Sequence, residues 1–389
     1  MSKNVVFCAD GTWSGPNQPD DDNTSSPTNV LKLFDNLDGA DIHETAGQSG
    51  KERERSLEAA DGSIRQIAKY LHGVGDSANF LVRVVGGALG AGLITRIVRG
   101  YTFLSRSWAT GDRIFIIGFS RGAYTARALA DLVAARGLLD ATKLDLTDKT
   151  QAYRLGAAVW YQHQRDLLLG NRSLLGELED VVTYLPGFLT KPPSADQLVA
   201  VPIEAVAVWD TVGALGIPEF NVKVMRVDCL QFIGRKLSAK VNRGLHAVAI
   251  DERRADFTPT LWDADPRITQ MLFAGAHSDV GGGYLETNDE SGLSDGALAW
   301  MTEELARLGV DFSAPPAHPV HPDARGMAHR PWLHPPWTVL LQDTRGFSDH
   351  GLEVSPTVRD RMAAGDVPVE GGSASPYRPS NLPGLMPGM

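Results

Sequence analysis

One pentapeptide constrains this chain more than any other feature. Gly118-Phe119-Ser120-Arg121-Gly122 follows the apolar run RIFIIG directly and leads straight into AYTARALADLVAA, an Ala- and Leu-rich helical pattern. A G-x-S-x-G element between strand and helix is a nucleophile elbow. The serine sits on a strained tight turn, and side chains two residues either side would collide, so Gly118 and Gly122 are the residues that fit. The turn raises Ser120 above a sheet edge at a helix N-terminus, where developing negative charge is favoured and the Arg121 backbone N–H serves as an oxyanion donor.

An elbow of this kind needs a sheet around it. Three further runs match the strand before Ser120: NVVFCAD (4–10), IEAVAVWD (203–210) and MLFAGAH (271–277). All are continuously apolar rather than alternating, as strands buried on both faces of a parallel sheet are. Helical patterns at 28–37, 122–136, 151–168 and 295–308 lie between them. Strands alternating with helices predict an α/β fold, a three-layer sandwich with a mostly parallel sheet. Residues 38–100 and 140–200 read as cap or lid insertions into a single domain of 389 residues, and the Pro- and His-rich segment from about 313 reads as irregular chain without a metal-ligand pattern.

A serine at its ordinary pKa is a poor nucleophile and needs a base, which in turn needs an orienting acid. Asp210 ends the run IEAVAVW and His277 ends MLFAGA, so the order Ser120, Asp210, His277 is that of an α/β-hydrolase triad. Asp251 and Asp279 compete for the acid, and His246, His43 and His72 for the base. The loop Asp10-Gly11-Thr12-Trp13 after the first strand offers Gly11 or Thr12 N–H as the second oxyanion donor. Two other classes stay open: metal-assisted phosphoester hydrolysis using Asp10, Asp210 and Asp279, and a non-catalytic binding protein that has kept the fold.

Charge and cysteine count bound the partners. Lys and Arg total 37 against 47 Asp and Glu, a net charge of -10, which excludes general nucleic-acid binding. Cys8 and Cys229 are the two cysteines, too few for a disulfide framework or a CxxC zinc site. The N-terminus enters a strand-like run with no signal-peptide core, so the expectation is a protein that is cytoplasmic when synthesised, any export being leaderless. The stretch at 80–98 (FLVRVVGGALGAGLITRIV) reads as an ordinary buried helical segment, or as an acyl-site lining in transient contact with a membrane surface. In the second case Arg83, Arg96 and Arg99 would suit a phosphate head group. Leucines in 155–185 suggest a lid helix pair or a packing layer.

These residues also carry a family likeness. VVFCADGTW with PTNVLKL, GVGD at 73–76, GDRIFIIGFSRGAYTARALA, VAVWDTVGALG, LHAVAIDERRADFTPTLW, FAGAHSDVGGGY, SPTVRDRM and YRPSNLP run in order along the chain. Together they resemble the bacterial and fungal α/β-hydrolase family that includes the type VI secretion phospholipase effectors. The resemblance implies a serine hydrolase acting on lipid esters, often phospholipids, with the triad on Ser120, Asp210 and His277. It requires no metal or organic cofactor, and the expected partner is a lipid or small ester substrate.

Overall fold

The computed structural model describes residues 2–11, 26–42, 52–73, 88–167, 190–213, 234–287, 290–335, 337–347 and 350–382. Its centre is a nine-stranded sheet in the order β11-β10-β9-β8-β5-β1-β4-β3-β2. The strands are β1 (Asn4–Ala9), β2 (Ala40–Asp41), β3 (Glu52–Glu58), β4 (Ile64–Leu71), β5 (Arg113–Phe119), β8 (Ile203–Trp209), β9 (Val241–Ala249), β10 (Ile268–Phe273) and β11 (Leu352–Val354). Two small antiparallel pairs, β6–β7 (Leu138–Leu139, Leu198–Val199) and β12–β13 (Asp366–Val367, Ser375–Pro376), lie apart from it. From β4 to β11 every neighbour is parallel, while β2 and β3 add an antiparallel edge.

The continuous apolar runs are explained by burial on both faces. Along β1, Val5, Phe7 and Ala9 enter one core with α2 (Ala88–Ser107), α3 (Arg121–Arg136) and α4 (Lys149–Leu167). Val6 and Cys8 face the other way, into a core with α1 (Asn29–Asn36) and α6 (Gly292–Arg307). Each fully buried Phe, Leu or Ile contributes roughly 1.5–3 kcal/mol of transfer free energy. This is the three-layer α/β sandwich that the sequence pattern predicts. Two short helices, α5 (His277–Gly281) and α7 (Pro356–Ala363), follow β10 and β11.

The reading of 38–100 as a cap insertion requires correction, because its described residues build the sheet edge and α2. ERERSLE (β3) alternates in charge sign rather than in hydropathy, so its pattern carries no apolar strand signal. Arg53 pairs with Asp35, and Arg55 donates to the carbonyls of Phe34, Asp35 and Leu37, closing the C-terminal end of α1. Glu52 and Glu54 instead meet Lys69 of β4. The first half of the second insertion is likewise core: Leu155, Val159 and Trp160 of α4 pack against α2 and α3. The remainder of the expected lid pair, 168–185, lies outside the described residues.

The chain runs from β1 out to β4 on one side, then returns through β5 to the other side and continues to β11. Connections leaving β1 and β5 therefore diverge, which opens a crevice at their carboxyl ends. Asp10, Ser120, Asp210 and Asp251 follow the ends of β1, β5, β8 and β9, and His277 lies just beyond β10, so all converge on that edge.

Candidate active site

Ser120 carries the strain expected of an elbow, with φ 57° and ψ −124° in a non-glycine residue. Its flanking glycines are demanded by close backbone approach. A Cβ on Gly118 would collide with the Gly122 carbonyl, and a Cβ on Gly122 with the Ala9 carbonyl of β1. Gly11 lies against the same turn, its position for a Cβ falling 3.2 Å from Ser120 Cβ. Arg121 opens α3, where backbone N–H groups point out of the helix end.

His277 is the first residue of α5, and its Nδ1 donates to Asp210 Oδ2 at 2.5 Å. The imidazole packs against the rings of Phe119 (centroids 4.6 Å apart) and Phe257 (5.0 Å). Phe119 immediately precedes Ser120, so the histidine packs on the residue next to the elbow serine. The His277 backbone N–H donates to Glu252 Oε2 at 3.2 Å. Asp210 has φ 35° and donates its N–H to Ala247 of β9 at 2.7 Å. The Asp210 carboxylate is fully buried and accepts from Ala249 N at 3.0 Å, from His277, and from both terminal nitrogens of Arg345 at 2.7 and 2.9 Å.

These surroundings set the charges. Burial alone would raise the Asp210 pKa, but the Arg345 guanidinium and His277 together hold it far below the usual carboxylate range. Burial pushes His277 below its ordinary 6.5, and the opposing pull of Asp210 does not restore it. Near neutral pH the pair is thus carboxylate and neutral imidazole, the state in which the Nε2 lone pair can accept a proton.

Residues 3–304 match the family described as "T6SS, Phospholipase effector Tle1-like, catalytic domain". The chain belongs to that family. A curated relative, the uncharacterized protein YEL023C of Saccharomyces cerevisiae, is 26% identical over 285 residues. The alignment covers 69% of this chain and 34% of the yeast protein, so the chain spans about a third of that relative's length. Two solved structures are similar. An uncharacterized protein from Pseudomonas aeruginosa has 17% identity and a TM-score of 0.40, with 80% of this chain and 47% of that one covered. The Tle1 effector bound to the VgrG spike of the type VI secretion system has 16% identity and a TM-score of 0.39, with 75% and 53% covered.

In this Tle1-like chain the competing candidates have other partners. Asp10 accepts from its own loop at Gly11 N (2.6 Å) and from Thr28 and Tyr70 hydroxyls (2.8 and 2.6 Å), which ties the first loop to α1 and β4. The Gly11 N–H is consequently given to Asp10 in this conformation, and Thr12 lies outside the described residues. Asp251 accepts from Gly275 N and the Tyr377 hydroxyl, and Asp279 from His329 and Ala276 N. His246 is a core residue of β9 bonded to Thr211 N and Gln270. His72 follows β4, and His43 lies outside the described residues.

Asp10, Asp210 and Asp279 thus serve separate partners. Among the described residues no three His, Cys, Asp or Glu are grouped to hold a metal. His318, His329 and His334 of the Pro-rich segment each meet a different carboxylate. Arg96 is buried, bonded to the carbonyls of Asp10 and Leu71, and pushed down to about 10 by desolvation. Arg99 pairs with Glu52, and Arg83 is not among the described residues. Among the described residues no helix is long and apolar enough to cross a membrane. Arg345 is the participant that sequence reasoning missed, since nothing near it in the sequence signals a buried acid 135 positions away.

Proposed function

We propose that this chain hydrolyses carboxylic esters of lipids, phospholipids first among them, through a Ser120-His277-Asp210 triad. Membership of a phospholipase catalytic-domain family supports the substrate class. The observation that carries the mechanism is the 2.5 Å Asp210–His277 contact beside a serine held at φ 57° on the adjacent strand end.

The chemistry follows from those atoms. Ser120 Oγ attacks the ester carbonyl carbon while His277 Nε2 takes the hydroxyl proton, and Asp210 fixes the Nδ1–H tautomer of the ring. The oxyanion is met by Arg121 N–H and a donor from the loop after β1. The imidazolium returns its proton to the leaving alkoxide as the tetrahedral centre collapses to the acyl-enzyme. Water, deprotonated by His277, then releases the acid and restores Ser120 Oγ–H.

Treatment with a fluorophosphonate, followed by intact mass and peptide mapping, tests the reading. The expected result is a single adduct on Ser120, absent in Ser120→Ala, with turnover of phospholipid or short-ester substrates lost by a factor of about 10³ or more in that variant. An unlabelled wild-type Ser120, or a folded Ser120→Ala protein with near wild-type turnover, overturns it. Loss of turnover with a chelator while the serine reagent has no effect would instead favour metal-assisted phosphoester hydrolysis.

A further inference from the structure

We infer that Arg345 is a positioning residue of this site, holding the Asp210 carboxylate in the plane that directs Oδ2 at His277; this rests on the triad reading above. The two terminal nitrogens take one carboxylate oxygen each, a bidentate fork at 2.7 and 2.9 Å. With Ala249 N on Oδ1 and His277 Nδ1 on Oδ2, four donors leave the carboxylate no freedom to rotate. The fork is itself braced. It donates to the carbonyls of Ala249 and Phe257, and the Asn381 carboxamide ties the Arg345 carbonyl to that of Ile250 by donating to both.

The arrangement exchanges field strength for geometry. A lone buried aspartate beside a histidine would pull strongly on a proton and hold the ring as imidazolium, unable to act as base near neutral pH. Arg345 offsets that charge while fixing the orientation. The charged groups facing His277 are Asp210 after β8 and Glu252 and Arg254 after β9, with Arg345 reaching it only through Asp210. The rings packed against it, Phe119 and Phe257, carry no charge. Glu252 and Arg254 neutralise each other in a bidentate pair, which leaves Asp210–Arg345 as the balance that matters.

Arg345 lies in the wall of a cavity of about 390 Å³, together with Arg254, Thr260, Asp343 and His350. The test compares Arg345→Ala and Arg345→Lys by kcat, by the pH profile of kcat/KM, and by fluorophosphonate labelling of Ser120. In Arg345→Ala we expect kcat to fall about 100-fold, as misplacement of a catalytic group commonly costs. The acidic limb should move up by about one pH unit, because the uncompensated carboxylate favours imidazolium.

Guanidinium at millimolar concentration, but not equal sodium chloride, should recover about tenfold of the kcat and return the limb toward its original position. Arg345→Lys restores the charge without the fork, so its limb should stay near wild type while kcat remains about tenfold down. An Arg345→Ala protein with wild-type kcat, or one whose loss comes with an unmoved limb and no rescue, overturns the inference. If that variant does not fold, wild-type kcat in Arg345→Lys overturns it alone. Absence of labelling at Ser120 in the wild type would instead sink the triad reading, which keeps the two failures apart.

Discussion

Ser120 donates its backbone N–H to the carbonyl of Trp209 at 3.1 Å, the residue immediately before Asp210. The strained elbow is therefore tied to the strand end that carries Asp210. Asp210 in turn donates its N–H to Ala247, so strand ends β5, β8 and β9 are linked as one rigid ledge. Sites built on strand ends hold geometry better than sites on free loops.

The glycine at 281 has no room for a side chain, because a Cβ there would run into the Phe119 ring. That ring also packs on the His277 imidazole. Gly281→Ala is expected to displace Phe119 and lower kcat about tenfold or more while costing roughly 1–3 kcal/mol in stability. Gly122→Ala, whose obstacle is the Ala9 backbone carbonyl, should cost more than Gly281→Ala does. Urea melts with parallel assays check both, and equal effects of the two substitutions would contradict the geometry.

Burial lowers the His277 pKa from 6.5, and in the proposed mechanism the imidazole must be neutral to act as base. The acidic limb of kcat/KM is accordingly expected below pH 6.5 in the wild type. A limb above that value, measured with a substrate that does not itself ionise, would mean the Asp210 charge is less compensated than the Arg345 pair indicates.

Asp251 has its pKa raised to about 6, chiefly by desolvation, while it accepts from Gly275 N and Tyr377 Oη. A carboxylate raised in the folded state binds a proton there before the unfolded chain does. Its contribution is full below the unfolded value of 3.8 and is lost as pH rises through about 6. Relative to Asp251→Asn, which keeps an acceptor and has no charge, the wild type should gain up to about 2 kcal/mol between pH 7 and pH 4. Denaturant melts across that range would show the opposite slope if Asp251 were stabilised as an anion.

How much could be read from the sequence depended on how local each signal was. Ser120, Asp210 and His277 follow continuous apolar strands, and a strand end with a turn is visible within ten residues. Gly118 and Gly122 are legible for the same reason, since their collision partners are set by the turn itself or by the neighbouring strand. The edge strand ERERSLE is not legible as a strand, because its alternation is one of charge, directed at α1 and Lys69 rather than at a core. Arg345, Asn381 and His329 sit in chain that lacks periodicity, and each acts through a partner far away in sequence. Only the folded sheet brings β11 and its preceding loop beside β9 and β10.

The last of these, His329, meets Asp279 of α5, the helix that His277 opens. Its Nδ1 donates to Asp279 Oδ1 at 2.6 Å, its backbone N–H to Oδ2 at 3.0 Å, and Tyr284 stacks on the ring at 3.4 Å. Asp279 Oδ2 also accepts from Ala276 N, holding the turn from which His277 starts α5. Burial raises the Asp279 pKa and the histidine opposes that rise. Removing the ring in His329→Ala would leave a buried carboxylate short of a donor, at a cost of about 3 kcal/mol. His329→Asn keeps a short donor and should recover part of that loss. Activity should fall with His329→Ala even at temperatures where the protein remains folded, because the turn that aims His277 is loosened. A His329→Ala protein with an unchanged urea midpoint would show that the Asp279–His329 pair does not brace this loop.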